Sequence, residues 1–125
     1  MTPERARSLL DAEEMRLREL RDQEQARLSE SLEAATGELT TFDQHPADVA
    51  TEAHERELDQ SFVRSMEAAL LEVEAARRRI EEGSYGLCEV GGEQIPDERL
   101  EIIPTARYCV DHQAELEQGA HPAGA

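Results

Sequence analysis

The 125 residues predict a mainly α protein: a long antiparallel coiled-coil hairpin carrying a small C-terminal finger-like knob and a short terminal helix. Three observations lead there. Two break-free segments of similar length carry apolar residues at spacings of three and four, the period of a packed helix face. A single cluster of turn formers separates them, and a stretch containing Gly, Pro and both Cys follows. Aromatic residues are 3% of the chain, with no Trp, while 34% of residues are charged. So little bulky apolar material cannot fill a thick core, but Ala and Leu suit helices that pack along a narrow seam.

Thr2 is placed to cap the first helix and Pro3 to occupy its first turn. Nothing breaks that helix before about Ala35, and Gly37 weakens its far end. Its seam reads Leu10, Leu17, Leu20, the polar Glu24, Leu28, Leu32, Ala35, Leu39 and Phe42. From Leu28 onward this is a heptad pattern. Turn formers crowd Thr40 to Asp48, and Pro46 disfavours helix at His45, so the chain reverses there. A second helix is expected from near Asp48 or Thr51 to about Glu82, with a seam of Leu58, Phe62, Met66, Ala69, Val73, Ala76 and Ile80. Gly83 and Ser84 stop it. Residues 1–82 thus form the hairpin, with its tip at about 40–50, residues 83–118 the knob with its helix over Val110 to Gln118, and 119–125 a disordered tail. At 1.5 Å per residue the hairpin would be on the order of 45 Å long.

Net charge is -16, from 29 acidic residues against 13 basic ones, all Arg. That balance argues against direct nucleic acid binding, which cations drive, and favours a basic protein surface or a metal ion as partner. No stretch approaches the roughly 20 apolar residues of a membrane span, so no membrane partner is expected. Met1 to Arg5 shows no apolar leader, and two Cys without export should stay reduced, which points to the cytoplasm. The Arg77-Arg78-Arg79 run reads as a solvated face or a partner of the helix C-terminus.

The knob holds a metal-finger signature with one ligand missing. Its first half-site reads Cys88-x-x-Gly91 and its second Cys109-x-x-His112. Cys88, Cys109 and His112 are ligand types that Zn2+ accepts, so three of four ligand positions for that cofactor survive. Gly91 offers no side chain, leaving water or a carboxylate such as Glu89 or Glu93 as the fourth. The competing reading is a finger that has lost its metal and is held by Tyr85, Leu87, Val90, Ile95, Leu100, Ile102, Ile103 and Tyr108. On that reading zinc would be weak and dispensable for folding. No nucleophile–base pair or positioned general base is identifiable, so no enzymatic activity is expected.

The knob resembles the DksA/TraR family of bacterial transcription factors through Tyr85-Gly86-x-Cys88, Gly92, Ile95, Arg99-Leu100-Glu101, Pro104-x-Ala106 and Cys109. The tip is similar too, His45-Pro46-Ala47-Asp48-x-Ala50 matching the family's Asp-x-x-Asp-x-Ala. The resemblance implies a transcription regulator that binds RNA polymerase and inserts its coiled-coil tip into the secondary channel. It places Asp48 and Ala50 at the acting tip, with His45 where the family has its first Asp. A neutral imidazole offers no anionic oxygen, and Asp48 also suits helix capping. Some members respond to guanosine tetraphosphate. The C-terminal third offers only Arg99 and Arg107 for it, which speaks against that response here. Two other readings use the same scaffold: a non-catalytic coiled-coil interaction protein, and a zinc or thiol sensor acting through Cys88 and Cys109.

Overall fold

Thr2 and Pro3 start the first helix as their chemistry requires. In the computed structural model the Arg5 N–H donates to Thr2 Oγ1 at 3.1 Å and the Ala6 N–H to the Thr2 carbonyl at 3.0 Å. Pro3, the first helical residue, lacks an N–H where none is needed. Four helices follow in order: α1 (Pro3–Glu38), α2 (Pro46–Glu82), α3 (Asp97–Ile102) and α4 (Val110–Gly119). The structure describes residues 1–38 and 46–119, apart from the side chains of 35–53, 55 and 56.

α2 begins at Pro46, earlier than the Asp48 or Thr51 read from sequence. The reason is the one that applies at Pro3: proline interrupts the residue before it and is well suited to be a helix's first residue. The rest of the expected reversal, through His45, lies outside the described residues. α2 ends where expected. Gly83 adopts φ 80°, a left-handed conformation, and the N–H groups of Ser84 and Tyr85 turn back onto the Arg79 carbonyl at 2.9 and 3.1 Å. Glycine takes this cap conformation without the steric cost a Cβ would bring.

The chain divides into two compact units, Met15–Leu71 and Met1–Glu14 with Glu72–Ala125. In the first, Leu17 and Leu28 of α1 and Val63 of α2 are buried, and Arg27 ties the helices together by reaching Asp59 at 2.7 Å while holding Glu24 on its own helix at 2.6 Å. This corrects the seam read from sequence. Val63 is 7% exposed, whereas Phe62 is 39%, and Leu58 and Leu32 are exposed. The inward positions on α2 run Asp59, Val63, Met66, Leu70, Val73, Arg77 and Ile80, a regular alternation of four and three. Where two apolar residues adjoin, a shift of one position turns the face by roughly 100°, and the larger side chain was the wrong guide.

The second unit joins the start of α1 and the end of α2 to the knob. Ala6, Leu10, Val73 and Ala76 are buried there. Arg77 leaves the solvated face expected of it and binds Asp11 at 2.8 Å and Glu14 at 3.0 Å on α1. Arg79 is buried. Its Nη2 donates to the Thr105 carbonyl at 3.2 Å, while its Nη1 has no partner among the described residues. The knob's own core is small: Cys88, Ile95, Leu100 and Ala106, with Tyr85, Tyr108 and Cys109 packed against it. Leu87, Val90, Ile102 and Ile103, expected to hold a metal-free knob, are exposed. α3 was not read from sequence, although Pro96 followed by Asp97 and Glu98 is a helix-start signal. Among the described residues no helix is long and apolar enough to cross a membrane.

Candidate metal centre

Two short backbone devices bring the knob's ligand-type side chains together. The first is a tight turn after Cys88. The Cys88 N–H donates to the Glu93 carbonyl and the Gly92 N–H to the Cys88 carbonyl, each at 2.8 Å. Gly92, at φ 77°, permits the reversal. The turn therefore sets residue 93 beside residue 88. The second device is the start of α4. Cys109 sits just before the helix and acts as its cap, its Sγ accepting the His112 N–H at 3.4 Å. His112 lies one helical turn on from Cys109, so the two side chains share a face.

The resulting cluster is Cys88, Glu93, Cys109 and His112, with one ligand atom from each lying within 4.8 Å of all the others. His112 Nδ1 is 3.1 Å from Cys88 Sγ, 3.2 Å from Cys109 Sγ and 2.7 Å from Glu93 Oε1. Cys109 Sγ is 3.0 Å from Glu93 Oε1. One ring nitrogen carries either one proton or one lone pair, so it cannot serve three partners. A single cation among the four atoms would satisfy all of them, and two thiolates, an imidazole and a carboxylate are a donor set that fits Zn2+.

Without a cation the protons divide unevenly over the cluster, two groups being lowered and two raised, and the raised thiol and imidazole would have to give up their protons to bind a metal. Burial pushes the Cys88 thiol up. The N–H groups of Gly91, Cys109 and Val90, with His112, outweigh this and bring it down to about 7. The hydrogen bond to Cys88 raises His112, and the Glu93 carboxylate adds to the effect. The hydrogen bond from Cys109 holds Glu93 below the usual carboxylate range, and the same bond holds the Cys109 thiol up.

Of the two carboxylates that sequence offered as a fourth ligand, Glu93 faces the cluster and Glu89 does not. Glu89 pairs with Arg107 at 2.8 Å, and the same guanidinium grips Glu72 of α2 through Nε at 2.7 Å and Nη2 at 3.1 Å. Arg107 thereby ties the finger to the helix end. Replacing it, Arg107→Ala, is expected to cost about 1 kcal/mol in chemical denaturation, the discount reflecting partial exposure. The Arg107 fork holds the Glu72 carboxyl below its ordinary value, against the opposing effect of burial. Its contribution is complete above the unfolded value of roughly 4.3 and is lost as pH falls through the folded one. Melts of parent and Glu72→Gln should therefore differ at pH 7 and converge in acid; a constant gap would mean the carboxylate charge is not what matters.

The tip candidates are placed differently. Asp48 and Ala50 lie in the first turns of α2, but their side chains are outside the described residues, as is all of His45.

Residues 83–118 match the model of the prokaryotic dksA/traR C4-type zinc finger. The chain is 42% identical over 90 residues to general stress protein 16O of Bacillus subtilis (strain 168), covering 71% of this chain and 55% of that one. It is 38% identical over 72 residues to the RNA polymerase-binding transcription factor DksA of Caulobacter vibrioides (strain NA1000 / CB15N), covering 58% and 51%. Among solved structures, transcription factor DksA2 from Pseudomonas aeruginosa superposes with a TM-score of 0.52 at 25% identity, over 89% of this chain and 84% of that one. The chain belongs to the DksA/TraR family. Its fold, the coiled-coil hairpin with a C-terminal finger, is a DksA/TraR fold. The chain spans about half the length of these two curated relatives, and 33% of the uncharacterized protein YteA of Bacillus subtilis, to which it is 43% identical. Where the family's finger is of the C4 type, this member carries two Cys, a His and the Gly at position 91.

Proposed function

We propose that this chain regulates transcription by binding RNA polymerase and inserting the tip of its helical hairpin into the secondary channel. Residues 1–82 supply the hairpin and 83–118 the finger, in which Cys88, Cys109 and His112 hold a structural Zn2+. The observation that carries the reading is the combination of paired helices and family finger, aligned along most of the chain with a solved DksA2. A relative 38% identical over 72 residues is named as RNA polymerase-binding. When bound, the ion would cross-link the turn after Cys88 to the start of α4. The chain's own groups do the rest, Arg107 and Arg79 fastening the finger to α2.

On this reading Asp48 and Ala50 act at the tip, with His45 in place of a carboxylate, and no bond is made or broken by the chain. The two basic groups available to guanosine tetraphosphate support no response to it. Arg99 donates through Nε to the Tyr108 carbonyl at 3.1 Å, and Arg107 is held between Glu72 and Glu89. The net charge of -16 favours a cationic protein surface over nucleic acid.

Co-purification with core RNA polymerase tests the reading, followed by run-off transcription. The parent should co-elute stoichiometrically and alter initiation. Asp48→Ala should co-elute equally and lose that effect. Failure of the parent to bind would sink the proposal, while equal activity of parent and Asp48→Ala would remove the tip from it.

A further inference from the structure

We infer that Glu93 is the fourth ligand of the finger, its carboxylate standing in the space that a side chain at position 91 would fill. The inference rests on the reading of Cys88, Cys109 and His112 as a zinc site, and goes beyond it by closing that site.

Gly91 carries the argument. A Cβ built on its backbone would lie 2.0 Å from Glu93 Oε2 and 2.7 Å from His112 Cε1. The side-chain direction at residue 91 therefore points into the cluster, where a finger with Cys at that position would place a thiolate. The space is taken by the Glu93 carboxylate, which comes from two residues further along. The turn makes this reach feasible. With Cys88 N–H on the Glu93 carbonyl and Gly92 reversed at φ 77°, residue 93 starts opposite Cys88.

The geometry suits the metal. Zinc takes carboxylate oxygen at about 2.0–2.2 Å and thiolate at about 2.3 Å in a tetrahedron, which spaces the ligand atoms roughly 3.3–3.8 Å apart. The observed separations of 2.7–3.2 Å around His112 and Cys109 need only a slight opening to reach this. Charge agrees as well: two thiolates and one carboxylate outweigh the dication by a single charge. Glu89 is no competitor, because Arg107 holds it. With four protein ligands the ion would have no open position, which is the condition of a structural centre.

The test uses the full chain loaded with Zn2+, with metal content by elemental analysis, affinity by competition with a chromophoric chelator, and absorption of the Co2+-substituted protein. The parent should hold one zinc per chain. Glu93→Gln should weaken zinc by at least the roughly 10–100-fold that outer-shell changes cost, and should alter the Co2+ ligand-field bands. Glu89→Gln should do neither. The double change Gly91→Cys with Glu93→Ala should restore tight zinc and raise the thiolate-to-Co2+ charge-transfer intensity, because a third sulfur enters at the same place. If Glu93→Gln binds zinc as tightly as the parent with an unchanged Co2+ spectrum, Glu93 is not a ligand and the three-residue site survives without it. If the parent itself takes up no zinc, the metal reading fails, and this inference with it.

Discussion

Stripping metal from the zinc-loaded chain with a chelator is expected to unfold residues 83–118 while α1 and α2 stay paired over Met15–Leu71. The finger has little apolar core to hold it. Its buried core is Cys88, Ile95, Leu100 and Ala106, and one of those is a proposed ligand. Ile102, at 80% exposure, contributes nothing to that core, and Val90 is more than half exposed. Against so few apolar contacts, structural zinc in small fingers contributes about 10–16 kcal/mol at neutral pH, and most of that is folding energy. Of the eight residues that sequence offered for a metal-free finger, the fold packs Tyr85, Ile95, Leu100 and Tyr108 together and leaves Leu87, Val90, Ile102 and Ile103 exposed. Hydrogen exchange read by mass spectrometry gives the check. Protection should collapse across 83–118 on chelation and persist on both arms of the Met15–Leu71 unit. Unchanged protection in the finger would show that its apolar contacts suffice.

Val73→Asp should destabilise the unit formed by the helix ends and the finger by several kcal/mol. Val73 is completely buried, and a carboxylate there would be desolvated among apolar neighbours. The cation one turn away cannot rescue it, since Arg77 is already engaged by Asp11, Glu14 and Glu74. Small domains have roughly 5–15 kcal/mol in all, so a loss of this size leaves little margin at growth temperature. Leu58→Asp is the control: Leu58 is exposed, and the change should stay within about 0.5 kcal/mol. Equal effects at the two positions in urea denaturation would mean that the buried face of α2 is not the one described.

What sequence could and could not show divides along physical lines. Helix starts and stops at Thr2, Pro3 and Gly83 were legible because capping is local chemistry, decided by neighbours within a few residues. Cys88, Cys109 and His112 were legible as candidates because ligand type and half-site spacing are also local. The register of α2 was not: Phe62 and Val63 are both apolar, and only the packed partner decides which faces inward. The part Arg79 takes was hidden because an Arg triplet on an acidic helix ordinarily faces water, and its burial is created by a loop 26 residues away. Glu93 could be named only as one of two carboxylates. The choice between it and Glu89 is made by Arg107, whose position is a tertiary fact.

Arg79 has a mechanical consequence. Its carbonyl is clamped by the N–H groups of Ser84 and Tyr85, while its guanidinium reaches the opposite wall at Thr105. One residue thus holds the exit of α2 from two sides, and these bonds oppose the swivel at Gly83 that a glycine in that place would otherwise allow. On the proposed function, torque on the finger from a docked polymerase surface would pass through these bonds to the last turns of α2. The finger is in this sense a handle welded to its shaft.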